Sequence, residues 1–167
     1  MFIAIAIWIG QKAFFVLEGP MKRQSLRAGD TPRSLPIPVE GVTLRRVVDA
    51  RESANPADQG AYGVNIYAGR GTPVTAVTDG VLSFVMFNEK LGNGLMLSGP
   101  GGMTIHYSRM DAFADIRNSQ VVKAGDLLGY VGNTGLNADD DDPHLHLQVY
   151  VDGKPVDPYP LLRGGGR

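Results

Sequence analysis

Short apolar runs separated by turn signals recur along most of this chain. Several runs have the length and apolar content of strands: 64–68, 73–77, 80–87, 95–97, 103–107, 127–131 and 144–151. Asn93-Gly94 and Asp152-Gly153 are typical turn sequences. Glycine supplies 22 of the 167 residues, well above the usual share of about 7%. The pattern predicts an all-β domain, in which only residues 110–116 have the character of a helical turn.

The N-terminus follows a different pattern, because residues 1–17 are almost wholly apolar and only Gly10-Gln11-Lys12 interrupts them. A membrane-spanning helix needs about 20 apolar residues, and this stretch is shorter. A secretory signal would carry a basic region before its apolar stretch, and none is present here. The basic residues Lys22, Arg23 and Arg27 follow it, which argues against export of the C-terminal side. Two interpretations stay open: a hydrophobic helix that packs on protein, and a membrane anchor.

Proline spacing and apolar content divide the remainder of the chain. Residues 18–38 contain four prolines and few large apolar side chains, which predicts a linker. We expect the folded domain to cover residues 39–162 and residues 163–167 to form a flexible tail. A chain of this length is enough for one domain with a real core.

Charge and cysteine content exclude some function classes. The chain carries 16 basic and 17 acidic residues, so a nucleic-acid partner has no electrostatic support. It contains no cysteine, which excludes disulfides and cysteine-ligated metal.

An ordered series of short motifs carries the strongest functional signal. Gly63-Val64-Asn65 comes first, and Thr72-Pro73-Val74 follows it. A stretch from Gly125 to Gly135 then leads to His144-Leu145-His146 and Asp157-Pro158. In that order, these motifs resemble the LytM/lysostaphin-type zinc metallopeptidases, which cut cell-wall peptide cross-links. The resemblance covers residues 38–162. It implies a LytM-like antiparallel sheet of β-sandwich or duplicated-hybrid type that forms the floor of a groove.

The resemblance also implies roles for individual positions. In the family, a His and an Asp around the glycine of the first motif bind zinc, and these positions are Ala61 and Asn65 here. A catalytic His of the second motif is replaced by Arg109. His146 matches the third zinc ligand, and His144 matches a catalytic residue that polarises water or stabilises the oxyanion.

Strand alternation predicts that these residues share one cleft. Residues two apart on a strand face the same side, so Asn65 joins the glycine of its motif, and His144 joins His146. By the same rule Tyr107 pairs with Arg109, and His106 faces away from the site. The predicted groove-binding residues are Asn65, Tyr107, Arg109, His144 and His146.

The residues at the predicted metal position are poor zinc ligands. A catalytic zinc needs three protein ligands and an open water position. Ala61 has no donor, and the neutral amide of Asn65 is weaker than a carboxylate. Arg109 adds a permanent positive charge, which repels a metal cation. We therefore expect no cofactor, and zinc only if this interpretation of the site is wrong.

Structural alternatives stand beside these assignments. His144 and His146 are either hydrogen-bonded remnants of the fold or binding residues. Arg109 either pairs on the surface with an acid such as Asp111 or binds a carboxylate of a wall peptide or partner. Four consecutive aspartates at residues 139–142 form either a solvated loop or a site for a basic partner or calcium, although their spacing does not match an EF-hand.

Three functions follow from the resemblance. The first is a catalytically degenerate, non-enzymatic factor that acts on peptidoglycan or on cell-wall hydrolases. The second is an active metalloendopeptidase with an altered metal site, and the third is a peptidoglycan-binding module. All three imply a bacterial cell envelope, on the periplasmic or extracytoplasmic side, and residues 1–17 would be its membrane anchor under the second of the two interpretations of that segment.

Overall fold

The computed structural model describes residues 20–40, 43–48, 62–89, 91–135 and 142–163. The described residues form ten strands and two helices. In chain order the strands are β1 Thr43–Val48, β2 Tyr62–Tyr67, β3 Pro73–Thr75, β4 Gly80–Asn88, β5 Gly92–Ser98, β6 Met103–Phe113, β7 Val121–Val122, β8 Leu127–Val131, β9 His144–Val151 and β10 Lys154–Val156. The helices are α1 over residues 20–27 and α2 over Pro158–Arg163.

All ten strands join one antiparallel sheet, which confirms the predicted fold class. The main path runs β1-β2-β9-β6-β5-β4-β7, while β10 extends the pairing of β9, and β8 pairs with both β3 and β6. Every pairing is antiparallel. The expected helical turn at residues 110–116 is wrong, since β6 continues to Phe113 by pairing with β8 after its pairing with β9 ends.

Strand β9 is the centre of the sheet and is buried on both faces. It lies between β2 and β6, and its residues from His144 to Tyr150 are all buried. Its odd-numbered residues Leu145 and Leu147 belong to the apolar core, which also contains Val64 and Ile66 of β2. Its even-numbered residues face the other side and include two histidines. Because successive side chains point to opposite faces of a strand, burial of the two leucines in the core places the two histidines on the opposite face.

Residues 20–38, predicted as a linker, contain helix α1 and pack against the domain. Leu35 and Val39 are fully buried in the core. The backbone amide of Leu35 donates to the carbonyl oxygen of Leu161 at 3.0 Å, and that of Gly101 donates to Leu26 at 3.0 Å. Within the residues described, no helix is long and apolar enough to cross a membrane. The apolar stretch 1–17 and residues 164–167 of the predicted tail 163–167 lie outside the described residues, so their assignments stay predictions. Arg163, the first residue of that tail, is instead the last residue of α2.

Candidate functional site

The polar face of β9 meets polar residues of β2 and β6 at the centre of the sheet. On the β2 side, Asn65 lies opposite His146, and Tyr67 lies opposite His144. On the β6 side, Ser108 lies opposite His146. The sheet therefore brings Asn65, His144 and His146 together, as the sequence predicted.

A short hydrogen bond fixes the His146 ring. Its Nδ1 lies 2.6 Å from the Oδ1 atom of Asn65. A side-chain amide oxygen only accepts hydrogen bonds, so Nδ1 carries the proton and Nε2 has the lone pair in the neutral ring. The ring lies directly over Gly63, where an added Cβ would be 2.5 Å from the His146 Cε1 atom. Only glycine leaves room for the imidazole at this position.

Burial is the main reason that the pKa of His146 falls from its usual 6.5 to about 3. The ring is nearly inaccessible to water, and desolvation disfavours its charged form. Neighbouring groups lower the pKa further, namely His144, Arg109 and His106. At neutral pH the ring is therefore an uncharged hydrogen-bonding group.

His144 is fixed by different partners. Its Nδ1 lies 2.7 Å from the backbone carbonyl oxygen of Asp142, which accepts the hydrogen bond. Its ring packs on Tyr67 with centroids 4.9 Å apart. Both histidines are thus oriented by local contacts and are buried. Of the four-aspartate run, residues 139–141 lie outside the described residues, so its loop and calcium assignments stay predictions.

Arg109 reaches the same site through a break in strand β6. Its φ angle is 65°, a left-handed conformation that is uncommon for a residue with a long side chain. Its backbone amide donates to Leu91, and its Nη2 donates to Asn133 Oδ1 at 3.3 Å. The side chain is buried. Strained backbone of this kind persists only where surrounding contacts hold it.

The alternative in which Arg109 pairs with Asp111 on the surface is wrong. Asp111 accepts hydrogen bonds from Arg70, with its Oδ1 2.6 Å from the Nη2 atom of Arg70. That hydrogen bond lowers the pKa of the Asp111 carboxyl and raises that of Arg70. The Arg109 side chain is buried, so it takes no part in the exposed ion pair between Arg70 and Asp111.

Tyr107 does not lie in the groove, which corrects its assignment as a groove-binding residue. It sits opposite Leu147, is buried in the core, and accepts a hydrogen bond from the Val77 amide through its hydroxyl at 3.0 Å. His106, expected to face away, lies opposite Gln148 on the polar face. The reason is the irregular backbone at Arg109, which breaks the alternation between Tyr107 and Arg109.

Four further residues of this face were not predicted from sequence: Tyr67, His106, Ser108 and Gln148. Gln148 is 2% exposed, and its Oε1 has no hydrogen-bond partner among the described residues. Alternation would have found Tyr67 and Gln148, since each lies two residues from a predicted site residue. Ser108 and His106 could be assigned to this face only once the register of β6 with β9 was known.

The residues present do not fit a catalytic zinc. His146 is a retained imidazole, but Asn65 is a neutral amide whose oxygen already accepts the His146 Nδ1 proton. Arg109 brings a fixed positive charge close enough to affect His146. Within the described part of the chain, no three His, Cys, Asp or Glu side chains are grouped to hold a metal. Ala61 lies outside the described residues, and the methyl side chain of alanine has no atom that can bind a metal.

Comparison with known proteins identifies the family. The model of peptidase family M23 matches residues 59–158. The chain belongs to peptidase family M23. This confirms the resemblance to LytM/lysostaphin-type peptidases.

Relatives of known name share part of this M23 domain. The DD-carboxypeptidase/endopeptidase Mpg of Neisseria meningitidis is 34% identical over 96 residues, which cover 58% of this chain and 21% of that protein. The glycyl-glycine endopeptidase ALE-1 of Staphylococcus capitis is 31% identical over 111 residues, covering 63% and 30%. The chain thus spans less than a third of the length of either relative. A zinc-containing peptidase from Vibrio cholerae superposes with a TM-score of 0.59 at 25% identity, covering 76% of this chain and 40% of that one.

Proposed function

We propose that this chain is a catalytically degenerate M23 protein that acts as a non-enzymatic factor of the bacterial cell envelope. In this proposal it lies on the extracytoplasmic side and regulates cell-wall hydrolases or binds peptidoglycan. The carrying observation is the hydrogen bond between Asn65 and His146. It uses a neutral amide where the resemblance implies a zinc-binding carboxylate, and it holds the imidazole without a metal.

The electrostatics of the site support the same proposal. A zinc ion needs nearby anionic or neutral ligands that outweigh the repulsion from any cation. Here the buried Arg109 side chain contributes positive charge beside His146. A guanidinium does not lose its proton in proteins, so this repulsion does not relax at any ordinary pH.

The metal content of the full chain tests the proposal directly. The protein is purified in a mild detergent without chelator or affinity tag, given excess zinc, dialysed and measured for zinc per chain. We expect far less than one zinc. A matched positive control is the triple variant Ala61→His, Asn65→Asp and Arg109→His, which restores the two zinc ligands and the catalytic His that the resemblance implies. Near one zinc per unmodified chain would overturn the proposal.

A second candidate is an active metalloendopeptidase with an altered site, and the named relative Mpg favours it. The name of that protein describes a carboxypeptidase and endopeptidase, and it is 34% identical to this chain over 96 residues. This candidate predicts that purified protein releases soluble fragments from peptidoglycan, that a chelator stops the release, and that His146→Ala abolishes it. Release of fragments by unmodified protein would replace the first proposal with this one.

The two kinds of non-enzymatic partner are separated by a binding experiment. Co-sedimentation with insoluble peptidoglycan that weakens with salt would favour direct wall binding, because salt screens attraction between accessible charges. Binding of a purified cell-wall hydrolase in the absence of peptidoglycan would favour regulation of that enzyme. Absence of both, with no wall cleavage, would contradict the envelope-factor proposal.

A further inference from the structure

A cavity of about 260 Å³ lies far from the histidine site, between helix α1 and two turns of the sheet. It is lined by residues of α1, of the β5–β6 connection and of the β9–β10 turn. The residues that matter for its chemistry are Arg23, Arg27, Ser98, Thr104 and Asp152. His144 begins β9 and Asp152 follows its last residue, so the cavity lies about 25 Å along the strand from His144.

The cavity is lined by more positive than negative charge. Two guanidinium groups, of Arg23 and Arg27, line it together with a single carboxylate, that of Asp152. The Arg27 Nη2 atom is 3.7 Å from Asp152 Oδ1, and both side chains are largely exposed. Such an exposed pair contributes little and exchanges readily with solvent. The net lining charge of one positive unit therefore remains available to a ligand that carries one negative charge.

Arg23 is held in place with one donor still to be satisfied. Its Nη2 donates to Ser83 Oγ at 2.8 Å and to the carbonyl oxygen of Leu82 at 3.3 Å. Its Nε is buried and has no hydrogen-bond partner among the described residues. An unsatisfied buried donor costs free energy that an acceptor can recover. A pre-positioned guanidinium also loses less entropy on binding than a free one.

The residue types on the two sides of the cavity favour one class of anion. Guanidinium groups come from the α1 side, while Ser98 and Thr104, which face each other across β5 and β6, add hydroxyl-bearing residues from the sheet. A carboxylate presents two oxygens in one plane, whereas a phosphate group accepts hydrogen bonds from several directions. A phosphodiester carries one negative charge, which matches the net charge of the lining.

We propose that this cavity binds a phosphodiester group. Its volume lies just below the roughly 300–1,000 Å³ of pockets for drug-sized ligands, so it takes a small phosphodiester or the headgroup of a larger one. The shared chemistry fits both a soluble glycerophosphodiester and an anionic phospholipid headgroup. The site uses none of the residues of the proposed function, so either proposal can fail alone.

Nuclear magnetic resonance on the full chain in detergent micelles tests this site. The probes are soluble glycerophosphoglycerol, and short-chain phosphatidylglycerol mixed into the micelles, with detergent alone as the reference. The readouts are the backbone amide resonances of Gly102 and Gly153, which line the cavity and are present in every variant, together with the Nε–H resonance of Arg23 in the unmodified chain. We expect a saturable shift. Equal binding of both probes identifies the phosphodiester group itself, and saturation by the lipid alone identifies a membrane headgroup as the source.

Two substitutions in the cavity should change the binding affinity in opposite directions, which sharpens the test. Arg23→Gln should weaken binding about tenfold, as expected for loss of a charge-assisted hydrogen bond. Arg33→Gln is the charge-matched control, since Arg33 is exposed and outside the cavity, and it should change binding less than twofold. Asp152→Asn removes the competing carboxylate and should tighten binding about two- to fivefold.

The Asp152→Asn variant keeps the proposal falsifiable if Arg23→Gln loosens helix α1. Asn tolerates the left-handed backbone at this turn, where φ is 50°, so the variant should fold normally. The proposal is overturned by a shift that never saturates with either probe. It is equally overturned if Arg33→Gln weakens binding as much as Arg23→Gln, or if Asp152→Asn fails to tighten it.

Discussion

Replacement of Gly63 by alanine should expose how tightly the His146 ring is packed on strand β2. The new Cβ would lie 2.5 Å from Cε1 and 2.9 Å from Nε2 of His146. Ordinary carbon contacts need about 3.5–4.0 Å, so the ring must move by about 1 Å. That movement lengthens its 2.6 Å hydrogen bond to Asn65.

The expected cost combines overpacking and a weakened buried hydrogen bond. Overpacking a rigid core costs about 1–3 kcal/mol, and the disturbed hydrogen bond adds about 1 kcal/mol. We expect Gly63→Ala to lower the free energy of unfolding by about 2–4 kcal/mol. For a chain of this size that is a fall of roughly 5–15 °C in melting temperature.

A double-mutant cycle with His146→Ala isolates the contact. Without the ring, the alanine methyl has space, so Gly63→Ala in that background should cost less than about 1 kcal/mol. The control is Gly69→Ala, where the nearest atom to a new Cβ is Thr72 Oγ1 at 3.8 Å, and it should stay within about 0.5 kcal/mol. Urea unfolding followed by circular dichroism, with unchanged m-values, gives the free energies.

Equal costs of Gly63→Ala with and without the His146 ring would refute the reasoning. That result would mean that the ring does not lie over Gly63. The tautomer assigned to His146 would then lose its structural basis, because the hydrogen bond to Asn65 depends on the same ring position.

Three further predictions concern titrating and hydrogen-bonding groups. Tyr107→Phe leaves the buried amide of Val77 without its acceptor and should cost about 1–3 kcal/mol in urea unfolding; an unchanged midpoint would contradict the hydrogen bond. The pKa of His146 is about 3 in the folded chain and about 6.5 in the unfolded chain, so between these values the unfolded chain binds a proton that the folded ring does not. The free energy of unfolding should therefore fall as the pH drops from 6.5 towards 3, and NMR titration should show a neutral ring at pH 5. Arg70→Gln should raise the lowered pKa of Asp111 towards its ordinary value, measured by carboxyl carbon shifts, and no change would exclude Arg70 as the cause.

Much of the fold was predictable because local signals and the sheet agree. The turn predicted at Asp152-Gly153 joins β9 to β10, and alternation on β9 placed His144 and His146 on one face with Leu145 and Leu147 in the core. These predictions depend only on local turn residues, on the period of two along a strand and on apolar burial. The turn predicted at Asn93-Gly94 is wrong, because both residues lie within β5 and pair with β4 or β6.

Most of the failures share one cause, namely contacts between distant segments. Nothing in the local sequence marks Arg109 for a left-handed backbone, since glycine or asparagine would be the usual signal. The resulting shift in phase put Tyr107 in the core and His106 on the polar face. The helical turn expected at residues 110–116 was likewise overridden by pairing with β8, and β1 was missed because its sequence, with two central arginines, shows no clear alternation.

The hydrogen bond between Leu35 and Leu161 has a mechanical consequence. It joins the segment that enters the domain to the helix that closes it, so the two ends of the folded unit meet. Tension applied through the N-terminal end would first load the contacts of Arg23, Leu26 and Thr31 with the sheet. Residues 20–38 would peel away one contact at a time, and their pair between Arg27 and Asp152 lies at the end of β9 that is remote from the histidines. The histidine site is thereby insulated from a pull on the part of the chain that precedes the domain.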